Sequence, residues 1–196
     1  KPKIFDKNLN IKRIKFREFL KNKKYYLRET SHILNSIPPF EGKDLVYTLF
    51  KDLNESFFQS IKWYGYLSST SVYGNHSGKW VNEKTKTTPQ TKRGVVRKEI
   101  EQSFLTLFRK NKLPVHIFRL PGIYGPGRSA LDKLIRGRKI IVVKPNQFFS
   151  RVFVEDIAKA IVLSMREPTP GEIFNITDNF PCSSQEVTEF AAKLLK

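Results

Sequence analysis

Residues 64–74 read Tyr64-Gly65-Tyr66-Leu67-Ser68-Ser69-Thr70-Ser71-Val72-Tyr73-Gly74. The run 64–69 predicts a buried strand, and the four consecutive hydroxyl residues that end it predict a polar opening at its carboxyl end. Hydroxyls there can bind a substrate oxygen or a cofactor amide, although a Ser/Thr-rich turn has the same composition for structural reasons alone. The flanks give the context. Upstream, 32–37 forms a second strand candidate that stops at Pro38-Pro39. Leu45, Leu49, Leu53 and Phe57 then recur at helical spacing and predict a helix over 43–60. Downstream, the polar stretch 75–92 reads as loop, and Val96, Ile100, Phe104 and Phe108 predict a helix over 95–110. A strand over 115–120 follows Pro114. Further on come a helix over 155–166, a short strand over 173–176 and a last helix opened by Ser183, with Glu186 completing a capping box. Strands alternating with helices at this spacing predict an α/β fold, a parallel sheet with flanking helices. Ligands of such sheets sit beyond the carboxyl ends of the strands, which directs attention to 38–42, 68–75 and 121–129.

Composition narrows the function classes. The chain has 196 residues, 39% hydrophobic and 28% charged, enough apolar content for a core. It contains no apolar run of the roughly 18 residues that a membrane helix needs. The stretch 1–6 lacks a secretory h-region, and Cys182 is the single cysteine, so a cytoplasmic protein without disulfides is expected. The first residue is Lys rather than Met. The net charge of +18 attracts phosphate groups in general, yet the lysines are spread along the chain, and the basic stretch 12–24 is interleaved with Ile14, Phe16, Phe19 and Leu20 as an amphipathic element would be. Nucleic acid is therefore not the expected partner. A basic protein that reuses the fold for RNA or DNA would instead show one cationic face and steep salt dependence. His32, His76 and His116 lie on separate segments without ligand spacing, so no metal site is expected.

Three later segments add further candidates for chemistry. Phe118-Arg119-Leu120-Pro121-Gly122-Ile123-Tyr124-Gly125-Pro126-Gly127-Arg128 runs from a strand into a Pro/Gly-dense loop, where glycines permit close approach to a ligand. Arg151-Val152-Phe153-Val154-Glu155-Asp156-Ile157-Ala158 meets a helix start with acidic residues at its positive end. Gly171-Glu172-Ile173-Phe174-Asn175-Ile176 is a short strand bearing one Asn. Each has an ordinary structural reading alone. In this order and spacing they resemble the extended short-chain dehydrogenase/reductase superfamily, the NAD-dependent epimerase/dehydratase group, from about residue 32 to the end. The stretch 73–83 is most similar to its atypical, YeeZ-like branch.

The resemblance implies a Rossmann-like sheet. Residues 1–130 would be the remainder of a dinucleotide-binding domain, and 131–196 a small substrate-side C-terminal region with a returning strand at 173–176. It implies NAD or NADP as cofactor and a small-molecule substrate of unknown identity. The oligomeric state stays open, a homodimer among the options. The family Ser that orients the substrate oxygen falls on Ser69. The family dyad Tyr-x-x-x-Lys, counted from Pro89 to Glu101, falls on Arg93 and Arg97. A guanidinium stays protonated at any working pH, so Arg93 cannot act as a general base, and chemistry through the usual dyad is not expected. Arg97 remains able to contact a ribose or phosphate. Tyr73 and Tyr124 are the nearby phenols; Tyr73 joins the catalytic candidates and Tyr124 the substrate-side ones. Cofactor contacts are expected from Pro38, Pro39, Ser68, Arg97, Pro121, Gly122 and Ile123. Substrate contacts are expected from Ser69, Tyr124, Arg128 and Arg151. Nucleotide-sugar epimerases carry an Arg where this chain has Phe149. The Gly-x-x-Gly-x-x-Gly turn that seats a pyrophosphate is absent, which implies a missing first βαβ unit of about 40 residues upstream and an unfinished sheet. Glu83 is an acid/base candidate if its loop covers a pocket, and Cys182 reads as a bystander. Two functions follow: an NAD(P)-dependent epimerase/dehydratase- or reductase-like enzyme working through other residues, or a non-catalytic NAD(P)-binding sensor or interaction module.

Overall fold

The computed structural model describes residues 11–137 and 147–196; the stretch 1–6 read above lies outside them. Four parallel strands form the main sheet in the order β1-β2-β3-β6: β1 His32–Asn35, β2 Trp63–Ser69, β3 Val115–Leu120 and β6 Ile173–Asn175. A second, two-stranded parallel sheet pairs β4 Gly122–Tyr124 with β5 Arg151–Phe153. The helices are α1 Phe16–Lys21, α2 Lys23–Arg28, α3 Leu45–Phe50, α4 Lys92–Asn111, α5 Ala130–Ile135, α6 Val154–Arg166 and α7 Ser184–Lys193.

Strand alternation sorts the core onto the two sheet faces. Tyr64, Tyr66, Val115 and Ile117 pack with Ile100, Phe104 and Leu107 of α4, joined by Leu27, Phe50 and Phe58. On the opposite face, Trp63, Phe118 and Leu120 pack with Val152 of β5 and Ile157 and Ile161 of α6. The Trp63 indole N–H donates to Ser164 Oγ at 3.0 Å and ties α6 to β2. The sheet is thus covered by helix on both sides, as the parallel arrangement requires.

Several elements differ in extent from the sequence expectation. The helix expected over 43–60 is α3 followed by a separate 3₁₀ turn at Glu55–Phe57. Asn54 leaves the helix in an extended conformation, and the Leu53 carbonyl accepts from Asn111 Nδ2 rather than continuing an intrahelical ladder. Strand β1 stops at Asn35 because the Asn35 side chain accepts from the Ile37 N–H and turns the chain. Helix α4 starts three residues early, capped by Thr91 Oγ1, which accepts from the Gly94 N–H at 3.1 Å. The capping box at Ser183 and Glu186 forms as expected.

Candidate functional site

The carboxyl ends of β1, β2 and β3 open into one cleft of about 610 Å³. Its walls come from the loops after each strand and from the first turns of α4. Ser36, Pro38 and Pro39 contribute from the β1 loop, Ser68 and Ser69 from the end of β2, Lys92, Arg93 and Arg97 from α4, and Pro121, Ile123 and Arg128 from the loop after β3. The β1 loop is held by Asp44, which caps α3 by accepting from the Tyr47 N–H at 2.8 Å and takes the Asn35 amide at 3.2 and 3.3 Å. Burial raises the Asp44 carboxyl above its usual range, opposed by the hydrogen bonds from Tyr47 and Asn35.

Arg97 faces the cleft, yet one of its guanidinium nitrogens is committed to the sheet. Nη1 donates to Tyr66 Oη at 2.9 Å and to the Leu67 carbonyl at 2.7 Å. Beneath it runs a buried polar chain. Ser68 Oγ donates to Glu101 Oε1 at 2.5 Å, and Arg119 meets the Glu101 carboxylate through Nε and Nη2, the latter at 2.7 Å. Arg119 Nη1 then donates to Tyr73 Oη at 2.9 Å, and that hydroxyl donates to Asn175 Oδ1 at 2.8 Å. Burial disfavours the charged guanidinium of Arg119, but Glu101 and Tyr73 outweigh it and hold the group more firmly protonated than usual.

The expected site residues divide into two groups. Pro38, Pro39, Ser68, Ser69, Arg93, Arg97, Pro121, Ile123 and Arg128 share the cleft. Gly122 lies exposed in β4 between two of them. Tyr73 is instead 3% exposed and held in the buried chain beneath the sheet. Tyr124 packs its ring against Phe153 at 5.5 Å. Arg151 spends Nη1 on the carbonyls of Phe149 and Cys182. Glu83 accepts from the Asn175 backbone N–H at 2.7 Å, pinning its loop to β6. At the root of that loop Gly74 has φ +76, and a Cβ there would collide with the Thr88 carbonyl. Ser71, the last of the hydroxyl run, lines the cleft as well; Ser36 and Lys92 also line it without a signal in the sequence, and the Glu101–Arg119 pair beneath was not foreseen. The signal for that pair is a charge inside an otherwise apolar strand, matched by an opposite charge on the buried face of a helix.

Comparison with known proteins places this geometry. The sequence model described as the NAD dependent epimerase/dehydratase family matches residues 51–177, well over half of the chain. The chain belongs to the NAD-dependent epimerase/dehydratase family. It is 25% identical over 139 residues to dTDP-D-glucose 4,6-dehydratase of Homo sapiens, covering 67% of this chain and 40% of that protein. The Bos taurus protein of that description matches at the same identity. This family member thus spans about two-fifths of the length of those curated relatives. Among solved structures, a functionally unknown conserved protein from Silicibacter pomeroyi DSS is 42% identical, with TM-score 0.78, covering 85% of this chain and 58% of that one. The dTDP-glucose 4,6-dehydratase of Bacillus anthracis str. Ames, in complex with NAD, superposes at TM-score 0.70 with 20% identity over 91% of this chain and 61% of that one, a likeness of fold. No helix among the described residues is long and apolar enough to cross a membrane.

Proposed function

We propose that the cleft receives the nicotinamide and ribose end of NAD(H) or NADP(H) together with a small-molecule substrate, in a protein of epimerase/dehydratase or reductase type that works without the usual phenol–ammonium dyad. The observation that carries this is the gathering of Ser68, Ser69, Arg97, Pro121 and Ile123 at the carboxyl rim of three parallel strands, where ligands of such sheets bind. These groups suit a ribose and a flat polar ring: hydroxyls, a guanidinium with donors to spare, and a Pro/Gly backbone that permits close approach. The pyrophosphate turn is not in this sequence, so this chain supplies one side of the cofactor site. A nicotinamide, when bound, supplies reversible hydride transfer. The chain's own part is orientation. Ser69 holds a substrate oxygen by hydrogen bonding, Ser68 is fixed by Glu101, and Arg93 offers a permanent positive charge rather than a proton acceptor. Residues 1–130 act as the dinucleotide side and 131–196 as the substrate side.

The second reading, a binding module without turnover, is favoured by Arg97, whose grip on Tyr66 and Leu67 is structural. Titration of the intact protein with NAD⁺, NADH, NADP⁺ and NADPH by calorimetry, followed by a panel of sugars and carbonyl compounds watched at the reduced-nicotinamide absorbance, separates the two. Binding with turnover supports the enzyme, binding without turnover supports the module, and absence of dinucleotide binding overturns both.

A further inference from the structure

The cleft carries more positive charge than the protein neutralises. Lys92, Arg93, Arg97 and Arg128 line it, against the single carboxylate of Glu41. Among the described residues the ion pairs are Glu101–Arg119 and Asp156–Lys159, so Lys92, Arg93 and Arg128 are left unanswered by any carboxylate. Two of these cations occupy an unfavourable place. Lys92 and Arg93 open the 20-residue helix α4, whose first turn holds no acidic residue, so they add positive charge to an end that is already positive. Local rules broken without visible compensation mark functional surfaces more often than structural ones.

We propose that the reacting side of the cleft binds a small oxyanion, the carboxylate or phosphate of a non-nucleotide ligand, between the first turn of α4 and Arg128. This deepens the reading above, on which it rests for the cleft's use as a site. The planar forks of Arg93 and Arg128 match a carboxylate or phosphate through paired N–H donors, and the α4 terminus adds its own positive end. The occupant charge thereby relieves the repulsion among the three cations, so the ligand binds as an anion and a neutral sugar does not replace it.

The test uses the Arg Nε–Hε signals of the intact protein in a heteronuclear NMR titration with inorganic phosphate and with glucuronate, glucose serving as the neutral control, each with and without saturating NAD⁺. The signals of Arg93 and Arg128 are expected to shift with phosphate and glucuronate but not with glucose. Arg93→Gln is expected to weaken that binding about tenfold, the loss of one charge-assisted pair. Arg93→Lys recovers part of it. Lys110→Gln, an exposed cation at the far end of α4, is the control for the general charge of the chain. Equal weakening by Lys110→Gln, or shifts spread evenly over all arginines, shows an adventitious ion only and overturns the proposal. Displacement of the oxyanion by NAD⁺ also overturns it, because the cations would then be holding the cofactor. Failure of dinucleotide binding with oxyanion binding intact removes the reading above instead.

Discussion

The buried polar groups can be tested residue by residue. Arg119 and Glu101 are 4% and 2% exposed, so removing one partner leaves a charge without water or counterion. Arg119→Met is expected to cost about 3–5 kcal/mol of stability, measured by urea unfolding, whereas replacing both partners with apolar residues costs much less. Arg97→Lys removes the Nη1 donor that serves both Tyr66 Oη and the Leu67 carbonyl, together with the guanidinium over the Tyr66 ring, and is expected to cost about 1–3 kcal/mol. Part of that loss is the stranded phenol, so a double-mutant cycle with Tyr66→Phe should show coupling between the two positions. His116 lies in β3 stacked on Trp63 at 5.6 Å, and burial lowers its pKa below the usual 6.5. The folded state therefore binds the proton less readily than the unfolded chain. The resulting stability is complete above pH 6.5 and declines as pH falls through that value toward the folded pKa. His116→Phe should flatten this part of the profile of unfolding free energy against pH.

At the scale of elements, α4 carries Lys92, Arg93 and Arg97 of the cleft together with the core residues Ile100, Phe104 and Leu107, so its placement sets the site. Gly94 in its first turn is the point of closest approach to the loop after β2: a Cβ there would lie 2.5 Å from the Ser71 carbonyl oxygen and 2.9 Å from Pro89 Cβ. In an open helix Gly→Ala stabilises by about 1 kcal/mol. Gly94→Ala should do the reverse, lowering the melting temperature and weakening whatever the cleft binds, because the helix start must shift away from Ser71. This spacing also explains what could be read from sequence. The strands β2 and β3 were legible as short, mostly apolar runs and the long stretch of α4 through the spacing of Val96, Ile100, Phe104 and Phe108, and the strand ends pointed to Ser69 and Pro121. Strand β5 was legible as the run that meets the α6 start, but β4 and helix α5 were not, since three to six residues carry no period of their own. The split of the 43–60 helix was hidden because Leu53 and Phe57 keep helical spacing while the backbone turns to meet Asn111. Tyr73 shows a deeper limit. Its position beside the hydroxyl run suggested a phenol at the site, and only the fold reveals that it faces Arg119 and Asn175 instead.

For the whole molecule, the outer edge of β1 and the loop after it present Leu34, 43% exposed, and Phe40, 67% exposed. Among the described residues no strand pairs with that edge of β1. Such an edge is a template for pairing with another chain. Leu34→Lys is expected to reduce concentration-dependent self-association of the 196-residue chain, read by sedimentation, with little change in the β2–β3 core. The route from β3 to β6 has a different consequence. Leu120 leaves the sheet and Ile173 rejoins it alongside β3, with the Gly171 N–H donating to the Val115 carbonyl and the Ile176 N–H to the Arg119 carbonyl. The chain thus leaves at the carboxyl end of β3 and returns at its amino end, the crossover that a parallel pair requires. Any replacement for this segment must span the length of β3 and keep apolar groups equivalent to Val152, Ile157 and Ile161 to seal the sheet face. The segment also carries Pro121, Ile123 and Arg128, so such a replacement remakes one wall of the cleft while β1 to β3 and α4 stay unaltered.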